Sequence, residues 1–316
     1  MFTTLITALP EQFDSSEVQA MLTAARSACR VHHPVSPLTE DALLNLLQGV
    51  DGWIAGGEVI TERLLCAAPQ LRIIARTGVG VDRVDMEACR RLGIRVTTTP
   101  GLTSAAVADL AMALLLCLAR QVCLHNRALR SGCWDQSIGI DLQGKVLGII
   151  GLGSIGRMVA QRALAFGMRV VACEPVRDVA FATSHGIAYL DLDDLLVQAD
   201  VVSLHTPLTS DTLGMMGERE LRLMKPTALL INTARGALVD ESALVRSLRE
   251  GWIAGVGLDV FTSEPLVDSP LVDLPNIVLT PHIGAWTEHT WAAMARQAAT
   301  EVIRALHGES PLNAVV

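Results

Sequence analysis

The 316-residue sequence has no excess of basic residues, and this lack excludes some classes of partner. Its 25 lysines and arginines face 33 acidic residues, so the formal net charge is −8. A chain with this balance has no field that would attract nucleic acid or an anionic lipid surface. We therefore expect neither a nucleic-acid partner nor a membrane partner.

Long apolar runs and an amino-terminal leader are also lacking. The most apolar stretch, residues 105–119, is too short to cross a bilayer and contains Asp109. The first residues carry no basic segment, and Glu11 and Asp14 follow soon after the start, which is not the pattern of a signal peptide. The sequence therefore predicts a cytoplasmic protein in which residues 105–119 form a buried helix or part of a subunit interface.

The cysteines show no spacing that indicates a disulfide framework. There are seven of them, an odd number, with no C-x-x-C pair, and several lie in apolar stretches. This pattern favours buried, reduced thiols in a cytosolic protein, and we predict no metal site. Half of the residues are hydrophobic and 18% are charged, so the chain is globular, and its length suits two domains that each bury a core.

Residues 145–174 form the stretch around which the rest of the chain is organised. Residues 145–150 are nearly all apolar, which predicts a strand buried on both faces. The sequence G-L-G-S-I-G occupies residues 151–156, and apolar residues at helical spacing follow as far as Gly167. A second strand is predicted at residues 168–173, and Glu174 stands at its end.

This order predicts a dinucleotide site, whereas a glycine-rich turn without a ligand is the alternative. Gly151 permits the tight turn, Gly153 lets a pyrophosphate approach the backbone, and Gly156 allows helix and strand to pack closely. The helix N-terminus offers free N–H groups to the phosphates, and the Glu174 carboxylate suits the ribose hydroxyls. Because a carboxylate repels a 2′-phosphate, the sequence predicts NAD rather than NADP, with Arg177 nearby as a partial offset.

The remaining chain alternates between strand and helix patterns, which predicts parallel α/β domains. Strands are expected at residues 2–9, 52–55, 71–76 and 94–97, and later at 200–204, 228–232, 255–259 and 277–280. Helices are expected at residues 15–29, 40–47, 61–67, 104–130 and 286–306. Pro34 and Pro37 predict a loop, and residues 99–101 predict a hinge.

Arg235, Glu264 and His282 each lie just beyond the end of a predicted strand. Taken singly, each has an ordinary structural interpretation: Arg235 pairs with a structural acid, Glu264 is a solvated loop acid, and His282 has no catalytic role. Taken together, they should meet at the carboxyl edge of one parallel sheet, beside the nucleotide. Arginine binds a carboxylate through two hydrogen bonds, and a glutamate orients a histidine and favours its protonated form, which suits proton donation to a carbonyl.

Six stretches of this sequence, in this order, resemble the D-isomer-specific 2-hydroxyacid dehydrogenases over nearly the whole chain. They are residues 76–85 (R-T-G-V-G-V-D-R-V-D), 148–156, 205–208 (H-T-P-L), 231–238 (I-N-T-A-R-G-A-L), 257–265 (G-L-D-V-F-T-S-E-P) and 281–284 (P-H-I-G). The resemblance implies an NAD-dependent enzyme that interconverts a small 2-keto acid and a 2-hydroxy acid of D configuration.

The resemblance also implies the architecture. It predicts two doubly wound parallel-sheet α/β domains, with a Rossmann dinucleotide domain inserted into a flavodoxin-like substrate domain. The substrate-binding domain would comprise residues 1–98 and 285–316, and the NAD-binding domain residues 99–284. A homodimer is the usual assembly in this family.

The resemblance assigns the site residues as follows. Arg235 would bind the substrate carboxylate, Glu264 would pair with His282 as the acid/base, and the backbone at Val79 and Gly80 would contact substrate. Asp259 would lie near the nicotinamide carboxamide. The cofactor-binding residues would be Gly151, Gly153, Ser154, Ile155, Gly156, Glu174, His205, Thr206, Pro207, Thr233 and Asp259.

The substrate is left open within this family. Gly56 and Gly57 stand where phosphoglycerate dehydrogenases tend to carry a cation, which favours an unphosphorylated acid: glyoxylate, hydroxypyruvate or a larger keto acid. The alternatives are a 3-phosphoglycerate dehydrogenase, in which Arg76 binds a distal anion, and an NAD-sensing regulator or corepressor on the same fold. Trp286 either walls the substrate pocket or is a core aromatic.

Overall fold

The computed structural model describes residues 1–8, 15–33 and 38–316. The predicted loop at Pro34 and Pro37, and Leu9 at the end of the first predicted strand, lie outside these ranges. The chain forms two compact units, one made of Met1–Thr103 and Ala285–Val316, the other of Ser104–Gly284. The first change of unit thus falls between residues 103 and 104, whereas the sequence-based prediction put it between 98 and 99.

Both units alternate strands and helices along the chain. The strands are β1 (Phe2–Ile6), β2 (Ser27–Val31), β3 (Gly52–Ala55), β4 (Ile73–Arg76), β5 (Arg95–Thr97), β6 (Val146–Ile150), β7 (Arg169–Cys173), β8 (Ala188–Tyr189), β9 (Val201–Leu204), β10 (Leu229–Asn232), β11 (Gly255–Leu258) and β12 (Ile277–Leu279). The helices are α1 (Ser16–Ala24), α2 (Glu40–Leu46), α3 (Glu62–Cys66), α4 (Met86–Leu92), α5 (Ser104–Ala119), α6 (Val122–Arg130), α7 (Ser154–Ala165), α8 (Val179–Ser184), α9 (Leu192–Gln198), α10 (Glu218–Leu223), α11 (Glu241–Glu250) and α12 (Glu288–Leu306).

The first unit is a five-stranded parallel sheet in the order β2-β1-β3-β4-β5. This is the flavodoxin-like order, which reverses direction between β1 and β3. Strands β3 and β4 are buried throughout, and α12 packs on them from the far end of the chain. The predicted flavodoxin-like domain is therefore confirmed.

The second unit is a seven-stranded parallel sheet in the order β12-β11-β10-β9-β6-β7-β8. Its strand order is that of the Rossmann fold, with β6 beside the point where the order reverses. The central strands β6, β9, β10 and β11 are buried at every residue, because helices cover both faces of the sheet. Helix α5 packs against β10, β11 and α7, so the apolar run at residues 105–119 is a mostly buried helix.

Two predicted helices were wrong in extent. The predicted helix at residues 15–29 ends at Ala24, because Arg26 adopts a left-handed conformation (φ 60°) and residues 27–31 pair with β1 as strand β2. The predicted helix at residues 104–130 is broken into α5 and α6, which meet at 63°, and Gln121 is left-handed at the break (φ 50°). The short strand β8 was not predicted.

The prediction of buried cysteines was largely wrong. All seven are free thiols, but only Cys89 is buried, and Cys66, Cys123 and Cys133 are exposed. Cys123 lies on α6, which buries none of its residues, and Cys133 follows that helix. Within the described ranges, no single helix has the length and apolarity to cross a membrane, although α5 and α6 together meet that test as a bent pair.

Candidate active site

The turn between β6 and α7 has no room for a side chain at its first and third glycines. Gly151 has φ 95°, and a Cβ there would lie 2.6 Å from the carbonyl carbon of His205, so the turn packs on the loop after β9. A Cβ at Gly156 would collide with the carbonyl oxygen of Gly151, whereas one at Gly153 would meet nothing within 4 Å. The first and third glycines are thus needed for packing, and the second leaves open space.

The N-terminus of α7 faces that open space. Gly153 is the N-cap residue and has no side chain to satisfy the first amides of the helix, while its carbonyl accepts from Arg157 N at 2.9 Å. Helix geometry leaves the N–H groups of Ser154, Ile155 and Gly156 without acceptors inside the helix. This arrangement suits a pyrophosphate.

Glu174 lies at the end of β7 and holds the glycine turn. Its Oε2 accepts from Leu152 N at 2.8 Å, and its Oε1 accepts from Val176 N at 3.2 Å. A carboxylate oxygen can accept a second hydrogen bond, so both oxygens can still take ribose hydroxyls. Arg177 is turned to other partners, since its guanidinium lies 5.4 Å from the centre of the Tyr189 ring and 4.0 Å from Asp191.

The loop after β9 carries the next predicted cofactor-binding residues. His205 N donates to Ile150 O at 2.7 Å, and the His205 Nε2 lies 2.8 Å from the Ser203 hydroxyl. Burial lowers the pKa of His205 to about 4, so the ring is neutral near pH 7. Thr206 N adjoins Gly151, and the carbonyl of Pro207 accepts from the Thr212 hydroxyl at 2.7 Å.

Two buried polar atoms in the loops after β9 and β10 indicate that this edge of the sheet fits a polar ligand. They are His205 Nδ1 and Thr233 Oγ1, and neither has a hydrogen-bond partner among the residues that the structure describes. Buried polar groups nearly always have partners, and a bound molecule with polar groups would supply partners for these two atoms. Together with the open amides of α7 and the Glu174 carboxylate, they fit a dinucleotide.

Arg235 lies in the loop after β10, which packs closely on the loop after β11. The side chain of Asn232 shapes its loop, since Nδ2 donates to Arg235 O at 2.8 Å and Oδ1 accepts from Ala234 N at 3.0 Å. A Cβ at Gly236 would collide with the backbone of Phe261. Glycine at this position therefore brings the arginine loop against the segment that leads to Glu264.

Glu264 and His282 form a direct pair. The His282 Nδ1 lies 2.9 Å from Oε2 and 3.1 Å from Oε1 of Glu264, whose Oε1 also accepts from Phe261 N at 3.1 Å. The carboxylate side chain is 16% exposed and the imidazole is 50% exposed. The Nδ1 edge of the imidazole is thus held against Glu264. The His282 backbone has a left-handed conformation (φ 54°).

Asp259 holds the loop that carries His282, a role the sequence did not predict. Its buried carboxylate accepts from Thr280 Oγ1 at 2.6 Å, Ile283 N at 2.8 Å and Gly284 N at 2.8 Å. Burial raises the pKa of Asp259, and these hydrogen bonds oppose the rise. A buried acid at the end of β11 that precedes a histidine loop was the only sequence signal for this contact.

In the first unit, the predicted substrate-binding backbone lies in the loop after β4. Gly78 N donates to the Thr99 hydroxyl at 2.8 Å, and Thr99 N donates to Gly78 O at 2.9 Å, which fixes the loop just before Val79 and Gly80. The Val79 side chain is exposed. Trp286 is also exposed and packs edge-on against Trp291 at 5.6 Å, so its interpretation as a core aromatic was wrong.

The chain is similar to known proteins. The model of the D-isomer specific 2-hydroxyacid dehydrogenase NAD-binding domain matches residues 112–284. A glyoxylate reductase of Thermococcus litoralis is 46% identical over 265 residues, which cover 81% of this chain and 80% of that protein.

Two solved structures extend the similarity to almost the full length. A glyoxylate reductase from Paecilomyes thermophila has a TM-score of 0.87 and 32% identity and covers 99% of this chain and 98% of its own. The D-lactate dehydrogenase from Aquifex aeolicus, solved with NAD and lactic acid, has a TM-score of 0.87 and 30% identity over 99% of both chains. The chain belongs to the D-isomer specific 2-hydroxyacid dehydrogenases and is an NAD-dependent oxidoreductase of that family.

Proposed function

We propose that this enzyme reduces a small, unphosphorylated 2-keto acid to the D-2-hydroxy acid, with glyoxylate and hydroxypyruvate as the first substrates to test. The observation that carries the proposal is the Glu264–His282 pair at 2.9 Å, on the same sheet edge as the Arg235 loop and the glycine turn. Relatives named glyoxylate reductase support the choice of substrate.

In this mechanism Arg235 binds the substrate carboxylate, and His282 provides the proton. Because Glu264 occupies the Nδ1 side of the ring, Nε2 is the nitrogen that faces the substrate carbonyl oxygen and protonates it. When bound, NADH supplies the hydride to the carbonyl carbon. In the oxidative direction His282 takes the hydroxyl proton back at the same nitrogen.

The second unit would hold the dinucleotide along the edge described above. The amides of Ser154, Ile155 and Gly156 bind the pyrophosphate, and Glu174 accepts from the ribose hydroxyls. The other assigned positions are Gly151, Gly153, His205, Thr206, Pro207, Thr233 and Asp259. Asp259 serves the nicotinamide end while it anchors the His282 loop.

The first unit would be the substrate-binding domain, in which the backbone amides of Val79 and Gly80 take part of the substrate charge. The proposal includes a cytoplasmic location and a homodimer as the assembly. Light scattering of the purified protein during gel filtration measures that assembly, and a monomer mass would contradict it.

The decisive experiment is a panel of 2-keto acids assayed by NADH consumption, with chiral analysis of the product. We expect turnover of glyoxylate and hydroxypyruvate, and D-glycerate from the latter. Loss of turnover in His282→Asn, with normal turnover in the matched control His289→Asn, an exposed histidine of α12, would tie the reaction to this site. A preference for phosphohydroxypyruvate would contradict the substrate class, and no turnover of any keto acid would contradict the proposal itself.

A further inference from the structure

A buried ion pair lies at the carboxyl end of two neighbouring strands in the first unit. Arg76 is the last residue of β4, and Glu58 follows β3 by three positions. The Nη1 of Arg76 lies 4.0 Å from Oε2 of Glu58, and their side chains are only 10% and 7% exposed. From the sequence, Arg76 is a candidate anion binder, whereas Glu58 has no local signal that marks it as its partner.

The fold places this pair where ligands bind. In an open parallel sheet, the crevice lies beyond the carboxyl ends of the strands at the point where their order reverses, which here is between β1 and β3. Gly56, directly after β3, packs on the chain just after β1, since a Cβ there would lie 3.2 Å from Ala8 Cα. Glu58 is therefore on a loop that borders the crevice of this unit.

The pair is not closed by a full hydrogen bond. A separation of 4.0 Å exceeds hydrogen-bond length, and Oε2 of Glu58 has no hydrogen-bond partner in the part of the chain that is described. A carboxylate held this close neutralises the guanidinium and repels any second anion that approaches it. A hydroxyl group, by contrast, would find an acceptor there.

We infer that Glu58 is a specificity-determining residue that keeps Arg76 from binding a distal anion of the substrate. Its carboxylate occupies the place beside the guanidinium that a phosphate or a second carboxylate would need. The site would thus favour 2-keto acids whose far end is a hydrogen or a hydroxyl group. This inference rests on the proposed function, since it names the substrate class of the same reaction.

The test compares phosphohydroxypyruvate with hydroxypyruvate in Glu58→Gln, which removes the charge and keeps the shape. We expect the ratio of their kcat/KM values to rise by about tenfold or more, because the phosphate no longer meets a like charge beside Arg76. The gain should disappear in Glu58→Gln/Arg76→Ala. An unchanged ratio in a folded Glu58→Gln protein would overturn the inference.

Arg83 provides the matched control, because it is a second cation near this loop. Its Nη1 donates to the Gly57 carbonyl at 3.0 Å, and the proposed mechanism gives Arg83 no role. Glu58→Gln/Arg83→Ala should retain the gain. If the gain were lost in Glu58→Gln/Arg83→Ala and kept in Glu58→Gln/Arg76→Ala, the anion would bind Arg83 and the inference would be wrong.

A second measurement uses the unaltered protein, so it does not depend on whether a variant folds. D-Glycerate and 3-phospho-D-glycerate are titrated into the protein with NADH present, and heat is recorded. We expect the phosphorylated acid to bind at least about tenfold more weakly, whereas equal or tighter binding would overturn the inference. Turnover of glyoxylate separately tests the proposed function, so a failure of one is distinguishable from a failure of the other.

Discussion

Replacing Asp259 should impair catalysis by His282, because Asp259 holds the loop that carries this histidine. The Asp259 carboxylate is buried and accepts three hydrogen bonds, two of them from the amides of the residues directly after His282. In Asp259→Asn, Oδ1 can still accept from Thr280 and Ile283, but an NH₂ group replaces Oδ2 opposite the Gly284 N–H. Two donors then face each other, and the histidine loop must move.

The hydrogen bonds of Asp259 set the size of this effect. A hydrogen bond to a charged group contributes about 1.5–3 kcal/mol, and an amide left without an acceptor costs a similar amount. Burial raises the pKa of Asp259, which means that the charged carboxylate is costly to bury. Removing the charge therefore offsets part of the stability lost with the hydrogen bonds. We therefore expect Asp259→Asn to lower the free energy of unfolding by about 2 kcal/mol, and Asp259→Ala by about 3 kcal/mol. Misplacing His282 by about 1 Å should lower kcat by roughly 10²-fold.

Three measurements separate this loop effect from a general loss of structure. Chemical denaturation gives the free energy of unfolding, NADH-linked assays give kcat, and hydrogen exchange reports the amides of Ile283 and Gly284. The matched control is Asp273→Asn, an exposed aspartate of the same unit, which should change none of them. Unchanged exchange at both amides, together with a large fall in kcat, would refute the idea that Asp259 acts by holding the loop.

Three further predictions concern the cofactor and the acid/base. His282→Asn should lower kcat for keto-acid reduction by roughly 10²-fold or more while NADH titrations give the same Kd, and near-normal turnover would contradict its role. Glu174→Gln should narrow the preference for NADH over NADPH in kcat/KM, because the negative charge that opposes a 2′-phosphate is gone; a parent enzyme with equal values for both would contradict the assignment. For His205, burial lowers the folded pKa from 6.5 to about 4, so the unfolded chain takes up the proton first as pH falls. The cofactor-free protein should lose up to roughly 3 kcal/mol between pH 6.5 and pH 4, and His205→Gln should lose less over that window in urea titrations at fixed pH.

Local spacing was enough to predict the second unit and the contact between Glu264 and His282. Gly151 and Gly156 lie where a Cβ would collide with backbone, and Gly153 leaves open space between them, so the spacing of the three glycines predicts the turn itself. Arg235, Glu264 and His282 were found because each follows a short apolar strand, and parallel strands end at one edge. Glu264 and His282 are in direct contact, as expected for groups at that edge.

Features that depend on pairing between distant segments were missed. Strand β2 is five residues that continue a helical pattern, and only its parallel pairing with β1 makes it a strand. The Glu58–Arg76 pair depends on the register of β3 against β4, in which Ala55 lies opposite Arg76. The grip of Asp259 on the His282 loop similarly requires β11 and β12 to be neighbours. A local sequence pattern does not specify any of these strand pairings.

The discontinuity of the first unit has a consequence for synthesis. Helix α12 packs on β3 and β4, its Met294 and Val302 lie in one apolar cluster with Ile54, and buried Glu301 accepts from the amides of Leu312 and Asn313. These residues reach the ribosome exit only after the whole inserted unit has been synthesised. After Thr103 emerges, the part of its sheet that α12 covers stays exposed until 203 more residues follow (306 − 103), roughly 10–40 s at ordinary translation rates. The inserted unit is continuous and can fold first. Residues 1–103 must therefore be protected from aggregation while residues 104–284 are already folded.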